Sequence, residues 1–335
     1  MVDINNFSFS PERFRTEGGV SPNDTGDCLE DILAQRETTP SLNLPSITKA
    51  CPNPLWRPEF SCELARNSTD SSPLPWVFAD TSHDTSTPVN FFLTDLETDL
   101  DSLPYDATQF QKVTLIFNAV RLLEWELSQS PSGQTCTELI SNPVGNCVDM
   151  TNLMYAICRH FEIECSLIYV YENFKSAINH VCLGIKDDRG ETILIDATVA
   201  DGMDIGYPAW YEISECEFLA MHHTARGVRL EDDLSDDEAL KEYGLSRAVY
   251  PPGPIPLLNS IGIYMRQGES ALAGQGLADL SSKGYNSAQF QYLLGHYYLH
   301  NHHLRLAQQA FENAVHLCPQ HEGARKQLEQ LTSRQ

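Results

Sequence analysis

Three residues near the middle of the chain have the side chains that nucleophilic catalysis by a thiol requires, namely Cys147, His180 and Asp196. A thiol attacks a carbonyl carbon efficiently only as the thiolate, and a helix N-terminus together with a neighbouring imidazole favours that form. The imidazole needs a third group, commonly a carboxylate, that fixes its tautomer and orientation. The sequence therefore predicts a cysteine nucleophile, a histidine base and an orienting aspartate.

The residues around each of the three give it a suitable element. Asn146 is a good N-cap, so Cys147 is predicted in the first turn of a helix. His180 opens an apolar strand, and Asp196 closes the next strand. Each also has a structural alternative, which is a small buried side chain for Cys147, a satisfied strand-end histidine for His180 and a turn cap for Asp196. The helix–strand–strand order favours catalysis over these alternatives.

The surrounding pattern predicts an α+β core in which the helix bearing the cysteine packs on an antiparallel sheet. The cysteine helix is predicted to run to about His160, and Asp187 to Gly190 is predicted to form a hairpin turn. Strands are predicted over 166–171, 180–186 and 191–196. An earlier helix is predicted from the apolar stripe Val113, Ile116, Phe117, Val120, Leu123 and Trp125.

These segments resemble the transglutaminase-like branch of the papain-like cysteine enzymes. The resemblance covers about residues 110–215 and lies in Gly145-Asn146-Cys147, Asn179-His180-Val181 and Ile195-Asp196-Ala197-Thr198. That family has a cysteine at a helix N-terminus, a histidine on one strand and an aspartate on the next, often followed by x-Thr. The resemblance implies that Cys147 is the nucleophile, that His180 is the general base and then the acid, and that Asp196 orients the histidine.

The chain departs from the family pattern at two positions. Cys182 stands where members often have an aromatic residue, and Val148 stands where they often have an aromatic or acidic one. These differences leave the substrate class open. Acyl transfer also requires hydrogen-bond donors for the developing oxyanion. The predicted oxyanion or substrate groups are the backbone N–H of Cys147 and the side chains of Gln134, Asn142 and Asn146.

Composition limits the classes of partner. The net charge of -24 argues against nucleic acid and anionic membranes, because phosphate binding needs clusters of Lys and Arg. The ten cysteines show no paired CxxC spacing, and no glycine-rich phosphate loop is present, so neither a metal nor a cofactor is predicted. No secretory signal is visible, which makes a cytoplasmic location the expectation; export by a route without such a signal stays open.

Four regions are predicted along the chain. Residues 1–95 form an irregular arm rich in Pro, Ser and Thr, which is interpreted as a partly ordered decoration, with a pro-segment or active-site cover as the alternative. Residues 96–220 form the catalytic core. Residues 221–255 form an acidic helix or linker. Residues 256–333 form a helical tail.

An internal repeat marks the helical tail. Its period is 34 residues, which resembles the tetratricopeptide repeats, pairs of antiparallel helices. Such arrays usually need about three repeats, so this pair is expected to pack on the catalytic core or on helices near 216–250. His296 and His300, one helical turn apart, are interpreted as surface residues and not as a metal site. Tyr264, Ala273, Leu277 and Leu280 recur as Tyr298, Ala307, Phe311 and Ala314.

The sequence thus predicts a cysteine-dependent acyl-transfer enzyme that acts on amide bonds of a protein or peptide through a thioester. Protease, glutamine deamidase and transglutaminase chemistry share this intermediate, and hydrolysis is favoured because water resolves a thioester unless the site excludes it. One alternative is an inactive scaffold that binds a partner protein through its repeats. Another is a small-molecule acyltransferase with the same triad.

Overall fold

A computed structural model describes residues 88–123, 126–127, 133–172, 180–199, 202–207 and 209–333. The predicted N-terminal arm up to residue 87, Trp125 and Asn179 lie outside the described residues. The chain divides into two compact units between Gly253 and Pro254. Within the described residues the first unit comprises 88–253 and the second 254–333, and each is considered by itself.

The first unit begins with helices that surround the cysteine segment. The second helix starts at a capping box, in which Thr108 and Gln111 bond each other's backbone N–H. The structure differs from the sequence prediction at 88–95, which are helical and not irregular. The elements are α1 (Pro88–Asp101), α2 (Gln109–Arg121), α3 (Cys136–Ser141) and α4 (Cys147–His160), with β1 (Glu126–Leu127) and β2 (Val144–Gly145) pairing in parallel.

A four-stranded antiparallel sheet follows. Its strands are β3 (Ser166–Glu172), β4 (His180–Lys186), β5 (Thr192–Ile195) and β6 (Ala209–Ile213), in the order β5-β4-β3-β6. The prediction of an α+β core is confirmed, and the first three strands were anticipated. The edge strand β6, which pairs with β3, was missed.

The two faces of the sheet are buried against different residues. Val181, Leu183 and Ile185 alternate along β4 and belong to the large core that contains α4. Cys182, on the opposite face, belongs to a smaller apolar cluster with Ile168, Val170, Leu194 and Tyr207. His180 lies at the start of β4. Because successive side chains of a strand point to opposite faces, His180 lies on the same face as Cys182. All residues of β4 except Lys186 are buried, which agrees with the continuous apolar run in its sequence.

Two antiparallel helices complete the first unit. They are α5 (Glu215–Asp232) and α6 (Asp236–Val249), so most of the predicted acidic helix or linker is a packed helix pair. Tyr243 is fully buried between them, and its hydroxyl donates to Glu231 Oε1 at 2.5 Å. Gly227 allows this approach, since a Cβ there would lie 2.4 Å from the Tyr243 ring.

The second unit is a run of helices that repeats, as the 34-residue period predicts. Equivalent turns support the repeat, because Gly268 (φ +76°) and His302 (φ +61°) both adopt the left-handed conformation. Helix α10 begins 34 residues after α8, and α11 begins 34 residues after α9. The helices are α7 (Ile255–Arg266), α8 (Ser270–Ser282), α9 (Ala288–His300), α10 (Leu304–Leu317) and α11 (Glu322–Thr332).

Small residues let the repeat helices approach closely. Ala273 and Ala307, one period apart, are both fully buried. Gly295 lies against the Phe311 ring, where a Cβ would be 2.5 Å from a ring carbon. The interpretation of His296 as a surface residue is wrong, because its ring is buried against Tyr292 and Phe311. No helix in the described part of the chain is long and apolar enough to span a bilayer.

Candidate active site

The start of α4 is fixed by a reciprocal cap. Asn146 Oδ1 accepts hydrogen bonds from the backbone N–H of Val148 at 2.9 Å and of Asp149 at 3.3 Å. The Asp149 carboxylate accepts from the Asn146 backbone N–H at 2.9 Å. Cys147 therefore occupies the first helical turn, where the positive end of the helix dipole favours an anion. The amide oxygen of Asn146 is committed to the cap.

Asp149 also ties the preceding loop to the helix. Its other oxygen accepts from the Gln134 backbone N–H at 2.8 Å, and the carboxylate is fully buried. Gly145 leaves room for it, since a Cβ there would lie 3.0 Å from Asp149 Cβ and 2.9 Å from Leu139. Sequence reasoning missed Asp149, although an acidic residue at the third position of a helix after an asparagine cap is a recognisable signal.

Three of the sequence-predicted residues meet at the junction of α4, β4 and the end of β5. Cys147 and His180 lie close enough to interact electrostatically. His180 Nε2 lies 2.7 Å from Asp196 Oδ2. Thr151 Oγ1 donates to the Val181 carbonyl at 3.1 Å and so holds α4 against the strand beside His180.

The Asp196 carboxylate is surrounded by four hydrogen-bond donors. The hydroxyl of Tyr207 and His180 Nε2 share Oδ2, while the backbone N–H and hydroxyl of Thr198 reach Oδ1 at 2.9 and 2.6 Å. Burial by itself would raise the pKa of Asp196, but the charge of His180 and these hydrogen bonds lower it below its usual value. The carboxylate is therefore ionised at neutral pH.

His180 is held as an imidazolium. Its side chain is buried, and burial by itself would lower its pKa. The charges of Cys147 and Asp196 and the hydrogen bonds to both outweigh burial and raise the pKa of His180 to about 10. An imidazolium at this position can donate a proton to a leaving group.

The backbone around Asp196 is held by close contact with the segment at 202–203. The Asp196 N–H donates to the Gly202 carbonyl at 2.7 Å, and Ile195 bridges to Met203. A Cβ on Gly202 would lie 1.8 Å from the Asp196 carbonyl oxygen, so only glycine fits at that position. The segment after β5 thus folds back along the strand that carries the aspartate.

The side chains proposed from the sequence as oxyanion donors have other surroundings. The Gln134 side-chain amide donates to the Val144 carbonyl, and its backbone carbonyl lies 3.0 Å from His222 Nε2. Asn142 is exposed at the end of α3, where its N–H donates to Glu138. Because Asn146 Oδ1 accepts the N–H groups of Val148 and Asp149, the Cys147 N–H is the first-turn donor that the cap does not use.

Comparison with known families supports the domain assignment. The model described as the transglutaminase-like superfamily matches residues 101–197, which include Cys147, His180 and Asp196. This part of the chain is a transglutaminase-like domain. Members of this superfamily are typically cysteine enzymes, so the match supports a cysteine-based activity without specifying the reaction.

No curated protein matches the chain. Among solved structures, the NMR structure of the first TPR domain of the human RPAP3 protein is similar, with 20% identity, a TM-score of 0.31, and coverage of 34% of this chain and 90% of that chain. A TM-score this low carries no conclusion about function. The tetratricopeptide-like character of the second unit rests instead on its helix spacing.

The structure also places three residues around these side chains that sequence reasoning did not find, Asp149, Thr151 and Tyr207. No group of three or more metal-ligating side chains suited to a metal ion occurs within the described residues.

Proposed function

We propose that the transglutaminase-like domain is a cysteine hydrolase that cleaves amide bonds of a protein or peptide. The observation that carries the proposal is the position of His180, which is 2.7 Å from Asp196 Oδ2 and close enough to Cys147 to interact with it electrostatically. Both neighbours and the histidine itself are buried, so their mutual attraction is little screened by solvent. A merely structural histidine needs neither a thiol nor an ionised carboxylate as its partners.

In the first step the Cys147 thiolate attacks the carbonyl carbon of the amide. The new C–S bond gives a tetrahedral oxyanion, which the Cys147 N–H at the helix start would stabilise. The C–N bond then breaks, and His180 donates its Nδ1 proton to the leaving nitrogen. The products are a thioester on Cys147 and free ammonia or an amine, with His180 left neutral.

In the second step water attacks the thioester carbon. Neutral His180 takes one proton from that water, and the C–S bond breaks to release a carboxylic acid and regenerate the thiolate. Asp196 keeps its charge throughout and holds the imidazole in place through Oδ2. Hydrolysis is preferred over amine transfer because water at about 55 M competes for any thioester that the site does not seal.

The helical repeats would serve to bring a protein substrate to the domain. Stacked helix pairs expose an extended surface, and such surfaces commonly bind proteins or peptides. The net charge of -24 favours a partner with basic segments over an acidic one.

The decisive test compares the reactivity of two cysteines. Cys147 is 7% exposed, whereas Cys318 in α10's end cap is half-buried, so exposure alone would make Cys318 react faster. We expect iodoacetamide at pH 7 to label Cys147 first, by at least about tenfold in rate, because a thiolate is the reacting form. Peptide mapping of the labelled protein identifies the site.

Cys147→Ser and Cys318→Ser serve as matched controls. The first should remove the fast phase, and the second should leave it intact. Labelling in order of exposure, with no fast phase at Cys147, would contradict the proposal and favour the inactive scaffold.

The type of reaction is measured on a general protein substrate such as casein. Release of ammonia or of new amino groups, lost in Cys147→Ser, supports hydrolysis. Incorporation of dansylcadaverine in preference to hydrolysis would instead make the protein a cross-linking enzyme. Turnover of a small acyl-thioester donor by a chain that lacks residues 254–335, with casein untouched, would identify a small-molecule acyltransferase.

A further inference from the structure

Tyr207 contacts two members of the site at once. Its hydroxyl donates to Asp196 Oδ2, the same oxygen that lies 2.7 Å from His180 Nε2. Its ring lies 5.8 Å from the His180 ring, centroid to centroid, at an interplanar angle of 61°. One side chain thus restrains the carboxylate through a hydrogen bond and the imidazole through an edge-to-face ring contact.

The backbone places Tyr207 there by interactions that reach the strand bearing the aspartate. Its N–H donates to the Ile205 carbonyl at 3.2 Å, and the Ile205 N–H donates to the Leu194 carbonyl on β5 at 3.0 Å. The side chain is 9% exposed and packs in the apolar cluster that includes Cys182 and Leu194. Backbone hydrogen bonds and apolar packing thus hold Tyr207 in place in addition to its hydroxyl.

From this geometry we infer that Tyr207 is a positioning residue of the proposed hydrolase, whose hydroxyl limits the negative charge that Asp196 presents to His180. The inference rests on the proposed function, because it concerns how readily His180 gives up its proton. It assigns no contact with substrate to Tyr207.

The physical reason is competition for one oxygen. A hydrogen bond to a carboxylate draws negative charge toward the donor. When two donors share Oδ2, the oxygen therefore presents less negative charge to each of them than it would to a single donor. Without the Tyr207 hydroxyl, Asp196 would attract the imidazolium more strongly and His180 would hold its proton to a higher pH. Burial, and then the charge of Asp196, raise the pKa of Tyr207, so the hydroxyl keeps its proton and stays a donor.

The first unit contains a matched tyrosine with a structural role. Tyr243 is buried, and its hydroxyl donates to the buried carboxylate of Glu231 at 2.5 Å. Tyr243→Phe therefore removes the same chemical group from a similar environment, away from the triad. Tyr207→Phe removes the hydroxyl at the site and keeps the ring that faces His180.

The readout is the protonation of His180, followed through the alkylation of Cys147. An imidazolium beside the sulfur attracts the iodoacetate anion, whereas neutral iodoacetamide is insensitive to that charge. The ratio of the two alkylation rates should therefore fall as His180 loses its proton, near pH 10 in the wild-type chain. Circular dichroism at each pH verifies that the protein is folded.

Two changes at position 207 should move the midpoint of this ratio in opposite directions. Tyr207→Phe should move it upward by about half a pH unit or more, because Asp196 regains charge. A fluorinated tyrosine at position 207 keeps the shape but is a stronger hydrogen-bond donor, so it should move the midpoint downward. Loosened packing cannot produce opposite shifts. The fluorinated variant also answers the question if Tyr207→Phe fails to fold.

The inference would be overturned if both position-207 variants gave the same dependence of the rate ratio on pH as wild type and Tyr243→Phe. It would also be overturned if both variants moved the midpoint in the same direction. These outcomes differ from failure of the proposed function. In that case wild-type Cys147 itself would show no fast alkylation, and the iodoacetate preference would be absent at every pH.

Discussion

The two units of the chain each bury a histidine, but they shift its pKa in opposite directions. His180 in the first unit lies between a sulfur and a carboxylate, and its pKa is raised to about 10. His296 in the second unit lies against the rings of Tyr292 and Phe311, with ring centroids 4.5 and 5.3 Å away. Burial, and then the charge of His321, lower the pKa of His296 to about 4.

The difference shows that burial does not determine the role of a histidine. Both rings are nearly excluded from solvent, so desolvation disfavours the charged form in both places. Only at His180 do neighbouring groups supply enough opposite charge to reverse that effect. The difference lies in the immediate neighbours of each ring, because His222, also buried in the first unit, has a pKa lowered to about 4, mainly by burial.

The largest expected effect comes from removing the negative charge beside His180, which should abolish the difference between the two histidines. Asp196→Asn keeps the shape of the side chain but cannot balance an imidazolium. We expect the alkylation rate of Cys147 and any amide hydrolysis to fall on the order of a thousandfold. The matched control is Glu242→Gln, which changes a carboxylate 2.8 Å from His223 Nδ1 and should leave both rates unchanged. Equal rates in wild type and Asp196→Asn would mean that the pair is structural.

A second change tests whether the backbone approach after β5 supports the site. Gly202→Ala places a Cβ where the Asp196 carbonyl stands, so we expect a loss of about 4 kcal/mol in the free energy of unfolding, measured in urea. Gly206→Ala, four residues on, meets nothing within 4 Å and should change stability little. Similar losses in both variants would show that the segment is sensitive to any side chain.

A smaller effect is expected in the second unit, where the free energy of unfolding should depend on pH. His296 has a lowered pKa, so between about pH 6.5 and 4 the unfolded chain binds a proton that the folded chain does not. Stability should fall across that window as the pH falls, by on the order of 3 kcal/mol. His296→Leu should flatten this dependence, whereas His300→Leu, at an exposed position, should not. Denaturant midpoints at several pH values measure the effect.

His180 should show the opposite dependence. Its raised pKa means that its stabilising contribution is complete below about pH 6.5, the usual value for histidine, and is lost as the pH rises through about 10. The stability advantage of wild type over His180→Gln should therefore narrow on the alkaline side. Narrowing on the acid side would contradict the charge assignment.

Local sequence signals were sufficient for the elements that have a clear period or cap. The strand at 180–186 and the helix at 147–160 follow from an apolar run and from the Asn146 cap, and the structure has both. The tail was predicted as 256–333, and its helices span 255–332. Strand β6 was missed because five residues at a sheet edge carry too little periodicity for a prediction.

Local sequence signals could not predict the contacts between distant segments of the chain. The hydrogen bonds from Asp149 to the Gln134 backbone and from Tyr207 to Asp196 join elements that the chain separates. Gln134 and Asn142 were proposed as oxyanion donors on residue type, but the fold directs one amide to Val144 and leaves the other exposed. Residue type identifies what a group can do, and position determines what it does.

The sequence by itself predicted most elements of the core and the candidate residues Cys147, His180 and Asp196, because helix caps, strand periods and repeat spacing are local properties of the chain. Tertiary structure decided the charge of each buried histidine and the donors that surround Asp196. Those features depend on desolvation and on atoms a few ångströms away in space, which come from segments far apart in the chain.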